Sequence, residues 1–402
     1  MLLAVGMWTA FIFNLGAPGM HDRHGLIKGA DFLHFYTLGN LALEHRGDLL
    51  YNMPAQTELA RQEVPAAAGY VYVPLYGPQV SLVFAPLARL PYLWALAIWI
   101  SVNVLIYAAC CFAIWTTCPN LAGRGWTVLL LAMAFPGFFQ LLAWGQSSGL
   151  ALASFTLAYL ALRGQHEFVA GLAIGCLAFK PQWAIAAALV IVLTGRWKVL
   201  AGATVSASLQ LGAGWAYYGT AAMHDYVHAL SRIADVLPAL EPRRYQMHSL
   251  RGFWVLLVPH SGAATVLYIV SSVAALTVLL GSWWKRGPWE LQFSALLFGS
   301  VLVSPHLTVY DLVVLAPAFL LLTDWAIAHP DQPASRSIRG LLYLCFPLFL
   351  FGPLVQFVHL QLSVVVMALL LWVIAGIPTG LAPEAPALAF LLPRTPATLD
   401  AP

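Results

Sequence analysis

The chain has 402 residues, of which 61% are hydrophobic and only 9% charged, whereas soluble globular domains carry charge on about a quarter of their residues. A fold in water cannot hide that much apolar surface, but a bilayer solvates it. The net charge of +3, with no basic run interleaved with aromatics, excludes a nucleic-acid binder and leaves a polytopic α-helical membrane protein.

The first apolar stretch, Leu2 to Leu15, lacks the basic start of a signal peptide and reads as a retained first span. A polar segment, residues 18–78, follows with His21, Asp22, Arg23, His24, Lys28, Asp31 and the run Glu44 to Asp48. Within it, Asp31 to Leu43 is expected to be a helix lying along the membrane surface on one broad apolar face. Asp31 sits where a helix N-terminus favours a carboxylate, so an ordinary cap is one reading of it. Tyr70 to Pro78 carries Pro74 and Pro78 around Gly77, which predicts a rigid aromatic turn.

Gln79 to Leu90 is a short apolar helix closed by Pro91, too short to span. Spans are expected over Tyr92 to Thr116, Trp126 to Ala143 and Ser147 to Leu162. Two short pieces between Phe168 and Leu193 are parted by Lys180-Pro181-Gln182. Further spans cover Val199 to Tyr217, Ala263 to Trp283, Leu291 to Val303, Leu312 to Ala326, Leu341 to His359 and Leu362 to Ile377. Residues 1–380 form one domain with outward loops at 18–78 and 218–260, and 381–402 are a Pro- and Ala-rich tail.

Basic residues beside short loops orient the chain. Arg124, Arg163, Arg196, Lys198, Lys285, Arg286, Arg336 and Arg339 share one side if the N-terminus is cytoplasmic and the chain turns back at Lys180. The segment with Asp31, Trp144-Gly145-Gln146, Lys180, the 218–260 loop and Ser304-Pro305-His306 then all face outward. Ionisable groups at membrane depth are functional candidates. Lys180 reads either as a snorkelling lysine or as a phosphate partner. Gln146 is a helix cap or a site residue, and Tyr72 and Tyr76 are interfacial aromatics or substrate contacts. His248, Ser249 and Arg251 mark the edge of an apolar segment. His306 follows a helix break, with Asp311 one turn on. The five cysteines, Cys110, Cys111, Cys118, Cys176 and Cys345, show no zinc-like spacing and read as small buried hydrophobes. His21, Asp22 and His24 lack a recognisable ligand spacing, so no metal site is expected.

Several short motifs in order resemble glycosyltransferase family 87, membrane enzymes of the glycosyltransferase C fold. They are Gly29-Ala30-Asp31-Phe32 with Tyr36, Leu49-Leu50-Tyr51, Tyr72-Val73-Pro74, Pro86 to Pro91, Trp99 to Asn103, Trp144-Gly145-Gln146, Lys180-Pro181-Gln182 and Ser304-Pro305-His306. The resemblance implies an all-α bundle of about 10–12 membrane helices, short re-entrant ones included. It implies transfer of a hexose, mannose first, from a polyprenol-phosphate donor to a hydroxyl of a glycolipid or glycan acceptor, outside the plasma membrane and with inversion. Asp31 takes the position of the catalytic base. Lys180, His306, Gln146 and Arg251 are expected at the donor phosphate, and Tyr72, Tyr76, His248 and Ser249 at the substrate. No cofactor is expected, and membrane lipids are the remaining partners. The competing class is a lipid or sugar transporter or flippase, which favours polar groups spread through paired broken helices.

Overall fold

The structure is a computed structural model that describes residues 2–378 apart from 68, 234, 237–242 and 286, with side chains from residue 5. Arg286, the middle of the 218–260 loop and the 381–402 tail therefore lie outside the described residues. Among the described residues there are 18 helices and no strand.

Helix α1 (Leu2–Leu15) packs its Trp8 indole against the start of the bundle, donating to the Met133 carbonyl at 2.8 Å. Helix α2 (Ala30–Leu43) corrects the expectation of a surface helix: apart from Asp31 and Leu43, all its residues are buried. Its apolar residues run all round, and such a helix is stable only when covered on every side. The cover comes from α4 (Gln79–Ala88), reached after α3 (Met53–Glu63), and from the Tyr70–Pro78 turn. A Cβ on Gly39 would lie 2.7 Å from the Phe84 carbonyl oxygen, so only glycine allows α2 and α4 this close.

Helix α5 (Tyr92–Trp115) is long enough to span the bilayer, and Trp94, Ile98, Leu105 and Phe112 point outward from it as a lipid-facing stripe. The span expected over Trp126 to Ala143 is bent by 46° between α6 (Gly125–Met133) and α7 (Pro136–Trp144). Pro136 causes the break: it has no N–H, and it pushes Phe135 into an extended conformation. Helix α8 (Ser148–Arg163) then crosses the protein.

Helices α9 (Glu167–Gly175) and α10 (Ala184–Leu193) flank two 3₁₀ turns, Cys176–Phe179 and Pro181–Trp183. Helix α11 (Trp197–Ser231) runs further than expected and breaks at Gly219, whose φ is 80°. It packs on α9 through small residues, Gly171 and Gly175 against Gly202 and Ser206, the close-approach arrangement of membrane helices. Beyond α12 (Leu250–Leu257) and the spanning α13 (Ser261–Trp284), α14 (Trp289–Val303) is buried from Leu291 to Val303 and forms the centre of the bundle. The third span is Val309–Ala328, a 3₁₀ turn (Val309–Leu315) leading into α15 (Ala316–Ala328). Helices α16 (Pro333–Leu348) and α17 (Gly352–Val358) bend by 87° where one span was expected, and α18 (Leu362–Gly376) closes the bundle.

Among the described residues three helices are thus long and apolar enough to cross a membrane, or up to five spans if each bent pair counts as one. The shorter apolar helices, 10–17 residues each, extend roughly 15–26 Å and fall short of a hydrocarbon core of about 30 Å.

The bundle has two chemically different ends. At one end Arg163 donates to the Thr117 carbonyl at 3.1 Å, Arg196 pairs with Glu167 at 3.0 Å and stacks near Trp283 and Trp289. There Asp324 also accepts from the backbone N–H groups of Asn120 and Leu121, at 2.8 and 3.1 Å. The N-terminus of α8 lies at the other end, where the acidic and amide groups described next converge.

Candidate active site

Two glycines in the left-handed region build the back of the site. Gly29 (φ 64°) precedes α2, and Gly145 (φ 65°) ends α7. A Cβ on Gly145 would meet the Phe32 Cβ at 2.7 Å, and one on Gly29 would meet Leu96 at 2.4 Å. Both positions therefore need glycine for backbone conformation and for space. Trp99 on α5 holds the second turn by donating from Nε1 to the Gly145 carbonyl at 3.0 Å. Tyr92 holds the first, its hydroxyl donating to the carbonyls of Lys28 (2.7 Å) and Gly29 (2.9 Å). Together these contacts bring the start of α2 against the α7–α8 turn.

Asp31 stands in the first turn of α2, but Gly29 is the cap residue and no side chain caps this end. The carboxylate instead accepts from Gln146 Nε2 at 3.0 Å through Oδ2, and the Tyr310 side chain lies close to it. Gln146 Oε1 accepts from the Ser147 N–H (2.7 Å), the Ser147 hydroxyl (3.0 Å) and the Lys180 ammonium (3.4 Å). Pro181 disfavours a helical conformation at Lys180, so the chain leaves the helix there and the side chain enters the cluster. Lys180 Nζ also donates to Ser148 Oγ at 3.3 Å and to Asp311 Oδ1 at 3.2 Å. Asp311 accepts from the Ser148 hydroxyl as well. Its other oxygen closes a capping box with Thr308, accepting from the N–H at 3.1 Å and the hydroxyl at 3.3 Å.

Gln146, Ser148, Lys180 and Asp311 are buried, whereas Asp31 and Tyr310 keep part of their surface open. Of the two carboxylates in the cluster among the described residues, Asp31 alone keeps part of its surface open. Burial pushes the Asp31 carboxyl up to about 6, against the opposing effect of the Gln146 bond, the nearby Tyr310 side chain and the Lys180 charge.

The Tyr76 side chain lies close to Ser147 in the same cluster, and Tyr51 donates to the Tyr76 carbonyl at 3.0 Å. Tyr72 donates to the Ala30 carbonyl at 2.6 Å, which places its ring beside the start of α2. Arg251 Nη1 reaches the Pro305 carbonyl at 3.4 Å, on the turn that carries His306. That turn joins the cluster through Thr308, and the 247–248 segment is tied to it by the Met247–Thr308 bridge and the His248 N–H to Leu307 O bond at 3.0 Å. The side chains of the remaining two expected residues bond to other groups. His248 meets the Ser363 hydroxyl at 2.8 Å, and burial lowers its imidazole to about 3. Ser249 caps α12 by accepting from Gly252 N at 3.4 Å.

Sequence reasoning did not include Ser148, Tyr310 and Asp311 in the site. Thr308-Val309-Tyr310-Asp311, a cap followed by an acid three residues on, was the signal available for the last of them. His34, one turn after Asp31, was also passed over. Its ring packs 4.9 Å from Tyr72 and 5.6 Å from Tyr76, burial lowers its pKa to about 4, and its Nε2 has no hydrogen-bond partner among the described residues.

The family model of glycosyltransferase family 87 matches residues 75–305, more than half of the 402 residues. Tyr76, Gln146, Lys180, His248, Ser249 and Arg251 fall inside the matched range; Asp31, Tyr72, His306 and Asp311 fall outside it. No curated protein and no solved structure matches the chain.

Proposed function

The chain belongs to glycosyltransferase family 87, and from that premise we propose that it transfers a hexose, mannose first among the candidates, from a polyprenol-phosphate donor to a hydroxyl of a glycolipid or glycan acceptor. Membership of that family makes the protein a membrane glycosyltransferase rather than the transporter the composition also allowed. The observation that carries the finer reading is the Asp31 carboxylate, partly open and raised towards neutrality beside an otherwise closed polar cluster.

Asp31 takes the proton of the acceptor hydroxyl as that oxygen attacks the anomeric carbon. The bond from that carbon to the phosphate oxygen breaks, and the lipid phosphate leaves with the electron pair. One displacement from the face opposite the leaving group inverts the anomeric centre. Arg251 and His306, on neighbouring segments, are the side chains for the charge that builds on the phosphate. Tyr72 and Tyr76 offer ring faces to the sugar or prenyl chain.

The reaction is placed on the extracytoplasmic side of the cell membrane, with the N-terminus cytoplasmic. The support is the gathering of Arg163 and Arg196 at the end of the bundle away from Asp31, because basic residues beside short loops favour the cytoplasmic side.

Purified protein in nanodiscs, supplied with a membrane glycolipid extract and a panel of labelled polyprenol-phosphate mannose, glucose and arabinose, is expected to transfer label from one of them. Transfer from nucleotide sugars in place of the lipid donors would refute the reading. The pH dependence follows from the base. Asp31 works only when ionised, so kcat/KM falls as pH drops through about 6, an acid limb that lies above the ordinary carboxylate range. A flat profile from pH 5 to pH 8 would be the contrary result.

A further inference from the structure

We infer that Lys180 and Asp311 are positioning residues: their buried ion pair fixes the Gln146 amide, and the fixed amide holds Asp31 in the geometry for proton removal. This rests on the reading of Asp31 as the base.

An ammonium group has three N–H donors, and Lys180 faces three acceptors: Asp311 Oδ1 at 3.2 Å, Ser148 Oγ at 3.3 Å and Gln146 Oε1 at 3.4 Å. No donor is left over for a phosphate. Asp311 is equally committed, with Lys180 and Ser148 on one oxygen and both Thr308 donors on the other. Gln146 Oε1 is surrounded by donors from Ser147 and Lys180. Turning the amide over would set its NH₂ against the Ser147 N–H and the ammonium, donor against donor. The orientation with Nε2 towards Asp31 is therefore imposed by Ser147 and by the Lys180 ammonium that Asp311 holds in place, and the bond from Nε2 to Asp31 Oδ2 at 3.0 Å is the network's link to the base. Lys180, expected at the donor phosphate, thus acts one residue removed from the reaction.

The charged and titratable groups facing Asp31 come from every element around it. They are Lys180 from the α9–α10 turn, Tyr310 and Asp311 from the 3₁₀ turn before α15, Tyr72 and Tyr76 from the 70–78 turn, and Tyr92 from α5. Of these, Lys180 favours the ionised carboxylate and Asp311 opposes it.

The test uses the full chain with Lys180→Gln, Asp311→Asn and the charge-balanced double variant, assayed for transfer from the polyprenol-phosphate sugar. Each single variant is expected to lose about 100-fold in kcat through misplacement of the base, with donor KM within about threefold of wild type. The acid limb of kcat/KM moves to higher pH in Lys180→Gln and to lower pH in Asp311→Asn. The double variant recovers part of kcat and returns the acid limb towards wild type. A donor KM raised about tenfold or more in Lys180→Gln, with kcat and the acid limb unchanged, would overturn the inference and make Lys180 a phosphate ligand. If the single variants do not accumulate, the double decides. Reduced kcat at unchanged donor KM supports the inference, and wild-type kcat or a raised donor KM overturns it. Asp31→Asn run in parallel separates the two failures. Normal transfer by that variant removes the base assignment and the inference with it; an inactive Asp31→Asn beside fully active Lys180 and Asp311 variants removes the inference alone.

Discussion

Asp31→Asn is expected to lower sugar transfer by about 10²–10⁴-fold, the range for loss of a general base, while the protein still inserts and purifies. Asparagine keeps the shape of the side chain and an oxygen that accepts from Gln146, so the turn at Gly29 and Gly145 has no reason to move. The stability expectation follows from the direction of the pKa shift. The folded-state value, about 6, lies above the ordinary 3.8, so the folded protein binds this proton more tightly than the unfolded chain. The resulting stabilisation is complete below pH 3.8 and is lost as pH rises through about 6. At neutral pH the ionised carboxylate is therefore a net cost, on the order of 1–3 kcal/mol for a group that keeps some contact with solvent. Asp31→Asn should melt at or above the wild-type temperature in detergent. A loss of activity accompanied by a fall in melting temperature would point to a structural defect instead.

Gly202→Ala is expected to be among the most damaging single-methyl changes in the chain. The added Cβ would lie 2.2 Å from the Phe168 carbonyl oxygen and 2.9 Å from the Leu172 amide nitrogen, both backbone atoms that cannot turn aside. Gly171 meets the same difficulty from the other side, 2.1 Å from the Val199 carbonyl oxygen. Helices α9 and α11 would have to separate along the contact, at a cost of about 3 kcal/mol or more. The site suffers too, because α9 leads directly through Cys176–Phe179 into Lys180. Fluorescence-detected size exclusion and a thermal melt check this, with Gly212→Ala as the control. Gly212 lies on the same helix with nothing within 4 Å of its added Cβ. Equal yields and melting temperatures for the two variants would refute the packing argument.

Much of the fold was readable because span length and proline breaks are local properties. Tyr92–Trp115 and Ser261–Trp284 fall within about two residues of expectation, and Lys180-Pro181 parts two short pieces as anticipated. The misread elements depend on non-local cover. The acid and polar flanks that suggest a surface position for α2 are local, whereas the contact of its Gly39 with Phe84 of α4, which helps bury it, is not. Pro136 was visible, but its bend was absorbed into one long apolar run.

The site follows the same division. Asp31, Gln146 and Lys180 stood out as polar residues in apolar surroundings, and the structure brings those three together. Their partners did not stand out. Asp311 joins Lys180 across 131 residues of chain, and Gln146 joins Asp31 across 115, separations over which no spacing rule holds. His248 and Ser249, expected at the substrate, have side chains that meet Ser363 and cap α12, the first of them a contact that no local pattern announces.

The central claim is a single displacement in which Asp31 removes a proton and never bonds to the sugar. NMR of the transferred sugar's anomeric centre, starting from a polyprenol-phosphate donor of known configuration, tests it most directly. The account predicts inversion in every turnover, with no sugar attached to Asp31 when the protein is quenched and examined by intact mass. Retention of configuration, or a glycosyl ester on Asp31, would contradict it.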